Sequence, residues 1–95
     1  MINRSRSDLV SLILEAAKEG TTRTRIMYSA YLSSGQTKYY LKMLVESGLV
    51  AQVATTKSYK TTKKGLEVLA LYDRLNQLSN VEKLQINVIR LLEIK

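Results

Sequence analysis

Residues 33–44 read SSGQTKYYLKML, and wound as a helix this stretch has two chemically different sides. Thr37, Tyr40, Leu41, Leu44 and Val45 recur at the three- and four-residue spacing of a buried stripe. Gln36, Lys38, Tyr39 and Lys42 fall on the other side. Two ammonium groups one turn apart, with a phenol between them, make a cluster of hydrogen-bond donors that suits an anion. A hydrophobic core needs only the first set. Related groups stand nearby: Arg23 and Arg25 near the start of the preceding helical stretch, where the helix dipole also favours an anion, and Lys57 with Lys60 around the polar segment TTKS.

The charge along the chain is uneven. The 95 residues carry a formal charge of +7. Residues 21–64 hold eight basic side chains (Arg23, Arg25, Lys38, Lys42, Lys57, Lys60, Lys63 and Lys64) against the single acid Glu46. Residues 66–95 hold Arg74, Lys83, Arg90 and Lys95 against Glu67, Asp73, Glu82 and Glu93, and are neutral. This asymmetry predicts one segment that meets a polyanion and another with a different task.

The elements that must position these groups are short and well punctuated. Residues 8–19 place Leu9, Leu12, Ile13, Ala16 and Ala17 on one helical stripe, with Ser7 as the expected N-cap and Gly20 as the stop. A second helix follows Thr21 or Thr22, with Ile26, Met27 and Ala30 inward, and breaks at residues 31–33. Ser33 and Gln36 then form an S-x-x-Q capping box that opens the third helix, and Gly48 closes it. The β-branched stretch LVAQVATTKSYKTT predicts a hairpin, residues 50–54 against 58–61, with its tip at Thr55–Ser58. From the expected N-cap Thr62 the chain is helical in character almost to its end, and thirty such residues would span roughly 45 Å.

Several function classes are disfavoured. With no histidine and no cysteine, the usual general base, the commonest nitrogen ligand and every thiolate metal site are missing, and no cofactor or metal is expected. The four glycines fall at helix ends or first turns, not in a phosphate-binding loop. A catalytic tyrosine acting with magnesium would need carboxylates, and Glu46 is the only acid near the basic groups. The expectation is a non-catalytic, soluble cytoplasmic protein with no membrane segment and no small-molecule substrate.

Helix, helix, short turn, helix and hairpin is the order of a winged helix-turn-helix, a mainly α fold with α+β character. In that fold the third helix faces the DNA groove and the hairpin is the wing. Arg23, Arg25, Gln36, Lys38, Tyr39, Lys42, Lys57 and Lys60 are therefore the candidate DNA-binding residues. Arg23 and Arg25 are either phosphate contacts or solvated cations, with Glu19 or Glu46 as alternative partners for Arg25. Tyr28, Tyr40 and Tyr59 read as core, and Met27 and Met43 as core filler.

TRTRIMYSAYLS, YYLKMLVESGLV and YKTTKKG together resemble the archaeal winged-helix proteins of the Sulfolobus ten-kilodalton "10a" chromatin family, over nearly the whole chain. The resemblance implies a homodimer joined by an antiparallel coiled coil of the last helices. It also implies sequence-tolerant binding to double-stranded DNA, a nucleoid location, and a role in chromatin organisation or regulation. Its DNA-facing positions fall on Lys38, Tyr39, Lys42 and Lys57. On this reading residues 1–65 are the DNA-binding domain and residues 66–95 the dimerisation helix, which starts near residue 63. Leu71, Leu75, Leu78, Val81, Leu84, Val88, Leu91 and Leu92 are its dimer positions. The step from Leu78 to Val81 and onward is offset by three residues, which overwinds a coiled coil, and Ser79 with Glu82 repeats a capping pattern. One unbroken helix is preferred, since no glycine or proline stands there. The alternative is a sequence-specific winged-helix regulator. The third helix offers only Gln36, Lys38 and Lys42 as base readers, with no arginine for guanine, and this favours sequence tolerance.

Overall fold

A computed structural model describes residues 5–77 of the chain. Leu78, Val81, Leu84, Val88, Leu91 and Leu92, and the capping pattern of Ser79 and Glu82, lie outside the described residues.

The first helix, α1, runs Arg6–Ala16. Its N-cap is Ser5, not Ser7: the Ser5 hydroxyl accepts from the Asp8 backbone N–H, and the Asp8 carboxylate accepts from that of Ser5. This reciprocal box starts the helix earlier than the apolar pattern does. The helix also ends earlier than expected, capped at Ala17, and Gly20 (φ 91°) turns the chain into the two-residue strand β1, Thr21–Thr22. The expected stripe is only partly right. Leu9, Ile13 and Ala17 are buried, but Leu14 is fully buried and Leu12 is exposed. The reason is that α1 is covered on two sides, by α2 and by the last helix, which moves its buried face round.

α2 spans Arg23–Ser29, with Thr22 as N-cap and Ile26 and Ala30 in the core. Tyr31, at φ 54°, makes the break into α3, Ser34–Glu46. Gly48 (φ 77°) terminates α3 in a Schellman arrangement: the Leu49 N–H donates to the Leu44 carbonyl at 2.9 Å and the Gly48 N–H to the Val45 carbonyl at 3.1 Å. Strands β2 (Val50–Val53) and β3 (Ser58–Thr61) form the expected hairpin, with Val50 opposite Thr61 and Val53 opposite Ser58. Ser58 thus belongs to the strand and the tip is residues 54–57. A contact not foreseen is the pairing of β1 with the free edge of β3, which gives a three-stranded antiparallel sheet in the order β1-β3-β2.

α4 covers Lys63–Asn76, with Thr62 as N-cap. Leu69 enters the core, and the Tyr72 hydroxyl donates to the Asp8 carboxylate, tying α4 to the first turn of α1. Tyr28, expected inside, is 70% exposed because α2 is short and turns only one side to the core; Tyr40 is buried as expected and Tyr59 is half-buried.

Gly65 is the tightest point of this packing. A Cβ there would sit against the Leu49 carbonyl oxygen and 2.7 Å from the Thr61 methyl. Gly65→Ala is therefore expected to destabilise the fold by about 1–3 kcal/mol despite alanine's better helix propensity. The loss is read as a fall in the thermal midpoint, and an unchanged or raised midpoint contradicts the close approach.

Candidate nucleic-acid interface

The two sides of residues 33–44 separate as their chemistry requires. Thr37, Tyr40, Leu41 and Leu44 are buried, and Thr37 satisfies its hydroxyl by donating to the Ser33 carbonyl at 2.8 Å. Gln36, Lys38, Tyr39 and Lys42 are all exposed. The capping box forms as predicted: the Gln36 N–H donates to the Ser33 hydroxyl at 3.1 Å, and the Ser33 N–H donates to Gln36 Oε1 at 2.9 Å. That second bond occupies the carbonyl end of the Gln36 amide and leaves its NH2 end outward.

Between α3 and the sheet lies a cleft of about 340 Å³, lined by Arg23, Lys38, Leu41, Lys42, Val45, Glu46, Gln52 and Tyr59. Its floor is apolar and its rim carries three cations. Arg23 is fixed there, because its Nη2 donates to both the carbonyl and the hydroxyl of Ser34 at 3.0 Å, bolting the start of α2 to the start of α3. On the outer side of α3, Tyr39 and Lys42 border a shallower depression with Met43, Glu46 and Ser47.

The remaining expected residues lie elsewhere. Arg25 is exposed on α2 and, like Lys57 and Lys60, does not line the cleft. Lys57 occupies the hairpin tip at φ 51°. Lys60 alternates with Tyr59 along β3, so it projects from the opposite face of the sheet. Among the described residues, no carboxylate lies within ion-pairing distance of Arg25, Lys38, Lys42, Lys57 or Lys60; an ion pair joins Glu15 of α1 to Lys18 just beyond its end. Lys63 and Lys64 open α4 against its dipole, and Lys64 is accommodated by donating to the Ser47 carbonyl at 3.1 Å.

One residue of this surface is absent from the sequence reading. Arg6, in the first turn of α1, donates from Nη2 to the Tyr39 hydroxyl at 2.8 Å, and its guanidinium carbon lies 5.9 Å from the centre of the Tyr39 ring. Tyr39 in turn meets Tyr40 edge to face, with ring centres 5.3 Å apart. Tyr39, and then Tyr40, hold the Arg6 guanidinium above its ordinary pKa, so it remains charged. No local pattern signals this contact, which joins positions 33 residues apart.

Residues 3–80 match the family described as winged helix-turn-helix. The chain belongs to that family. Its architecture is also similar to the crystal structure of Sso10a-2, a DNA-binding protein from Sulfolobus solfataricus, with a TM-score of 0.68 at 21% identity over 97% of this chain and 100% of that one. A comparison with curated protein sequences gives no match. In winged helix-turn-helix terms α2 and α3 are the motif and β2–β3 is the wing. Among the described residues no helix is long and apolar enough to cross a membrane, and no group of three or more histidine, cysteine, aspartate or glutamate residues could hold a metal ion.

The capping box fixes where α3 begins, and with it the phase of Lys38, Tyr39 and Lys42. Ser33→Ala should cost about 1 kcal/mol of stability by chemical denaturation. A variant as stable as the parent means that the box contributes nothing to the start of α3.

Proposed function

We propose that this winged helix-turn-helix protein is a homodimeric, largely sequence-tolerant double-stranded-DNA-binding protein that organises or bridges DNA in the nucleoid. The observation that carries the reading is the exposed side of α3, where Lys38 and Lys42 stand beside Tyr39 with no carboxylate in ion-pairing distance among the described residues, on the rim of a cleft that also holds Arg23. Lys38, Tyr39, Lys42 and Arg23 contact the duplex at α3. Arg25 and Gln36 flank them, and Lys57 and Lys60 reach the backbone from the wing. Nothing here calls for catalysis: the task is neutralising phosphates. The Sulfolobus protein of similar fold is itself described as DNA-binding. Sequence tolerance follows from the side chains on offer, since lysines are point charges and the Gln36 carbonyl is held by its capping box. A sequence-specific regulator is the competing reading, and it requires strong preference for one duplex.

Residues 1–65 are assigned the DNA-binding role and residues 66–95 dimerisation, with the first turns of α4 also packed on α1. Leu71 and Leu75 support this assignment, being 58% and 43% exposed along the groove where α4 packs on α1. Two chains paired antiparallel through this helix would set two DNA-binding heads apart, which suits bridging.

Random duplex DNA should bind with log affinity falling linearly in log salt, at about −0.9 per neutralised phosphate, and a dimer should give a slope steeper than roughly −5. Lys38→Ala with Lys42→Ala should weaken binding and flatten the slope while leaving the thermal midpoint nearly unchanged. Salt-insensitive binding defeats the proposal, and a large preference for one sequence turns it towards a regulator.

Light scattering on the full chain tests the dimer. The expected mass is twice 10.8 kDa, falling towards one chain in Leu71→Glu with Leu75→Glu. A monomeric parent at micromolar concentration removes the bridging mechanism but not DNA binding.

A further inference from the structure

Arg6 and Tyr39 form a group of donors with a definite direction. A guanidinium only donates hydrogen bonds, so in the 2.8 Å contact from Arg6 Nη2 the Tyr39 oxygen is the acceptor. The phenol hydrogen is thereby released to donate elsewhere, and no acceptor for it is found among the described residues. The guanidinium has five N–H groups; Tyr39 engages one, and the Tyr40 phenol lies near the same group. Both side chains are exposed, so the unused donors face solvent. The nearest acid on α1, Asp8, is held by the Ser5 N–H and the Tyr72 hydroxyl. The pair therefore offers a positive charge, a planar fork and a hydroxyl donor. It adjoins Lys42, which borders the same depression as Tyr39.

We propose that Arg6 and Tyr39 together hold one backbone phosphate of duplex DNA, which extends the binding surface from α3 onto the N-terminal turn of α1. The phosphate oxygens accept from the Tyr39 hydroxyl and from the free N–H groups of Arg6, a geometry that a planar guanidinium fits and an ammonium does not. The inference rests on the DNA-binding reading and adds to it a residue from outside the helix-turn-helix. Tyr39 is then a contact in partnership with α1, and its ring, set against Tyr40 and beneath Arg6, is positioned before DNA arrives.

The test is duplex binding by fluorescence anisotropy across a potassium chloride series, with circular dichroism confirming that each variant is folded. Arg6→Gln should reduce the salt slope by about 0.9 per subunit. Tyr39→Phe should weaken binding several-fold and leave the slope in place. The double variant should bind no more weakly than Arg6→Gln alone by more than about two-fold, because the two side chains share one phosphate. Arg6→Lys keeps the charge and loses the fork, so it should retain the slope and bind more weakly than the parent. An unchanged slope in Arg6→Gln, beside a flattened one in Lys38→Ala with Lys42→Ala, overturns the shared phosphate while DNA binding stands. Independent, additive losses from Arg6→Gln and Tyr39→Phe overturn it equally. A parent protein that fails to bind duplex DNA at low salt overturns both.

Discussion

An α-helix leaves its last carbonyls without partners, and here one short segment answers both the end of α1 and the turn that follows α3. At the end of α1, Thr61 donates from its hydroxyl to the Leu14 carbonyl at 2.6 Å and from its N–H to the Ala17 carbonyl at 2.9 Å. After α3, Thr62 donates from its hydroxyl to the Gly48 carbonyl at 2.6 Å and from its N–H to the Leu49 carbonyl at 3.0 Å. The same Thr62 hydroxyl accepts from the Gly65 N–H and so begins α4. Leaving a buried carbonyl unpaired costs about 1–3 kcal/mol, and Thr61 avoids that penalty at the buried Leu14 and Ala17. The helix-turn-helix, the wing and the last helix are oriented relative to one another by this junction.

That closure is made with hydroxyls and amides, and this has an electrostatic consequence. Neutral donors at the helix ends leave the lysines and arginines of residues 21–64 largely free of structural duty. Arg23 and Lys64 are the exceptions, each spent on carbonyls at a helix end, and Arg23 still lines the cleft. The exposed cations of α3 and the wing are therefore available to an external anion, and the fold does not depend on their charge. Core and contact can be altered separately on the same helix.

Much of this was legible in the chain. The S-x-x-Q box, the glycine at the end of α3 and the β-branched hairpin each report a local interaction between residues a few positions apart, and each formed where its pattern stood. The misreadings have several causes, most of them beyond local spacing. Ser5 displaced Ser7 because Asp8 completes a reciprocal cap, a feature outside the apolar periodicity. Leu14 replaced Leu12 because a second helix covers α1 from another side. The strand at Thr21–Thr22 is too short to signal itself and forms only because β3 has an unpaired edge to offer. Tyr28 read as core on its ring alone, yet a seven-residue helix has too little buried face to reach it. The Arg6–Tyr39 contact is invisible in sequence for the same reason: it joins residues 33 positions apart that only the tertiary fold brings together.

On the proposed dimer, the last helix has to fold one chain and also join two. Val68, Leu69 and Tyr72 turn towards α1, and Tyr72 is locked there by Asp8. Leu71 and Leu75 line the groove between α1 and α4 yet stay 58% and 43% open to water. A helix that served only its own domain would place polar residues there, as α1 places Glu15 on its outer side, paired with Lys18 just past its end. Leucines on a neutral segment, next to a domain that concentrates its positive charge elsewhere, meet no electrostatic barrier to a second copy of themselves. Two basic faces brought together would repel; two neutral apolar stripes would not. Keeping the charge on α3 and the wing, and the leucines on α4, lets the proposed dimer form without opposing the proposed DNA contacts.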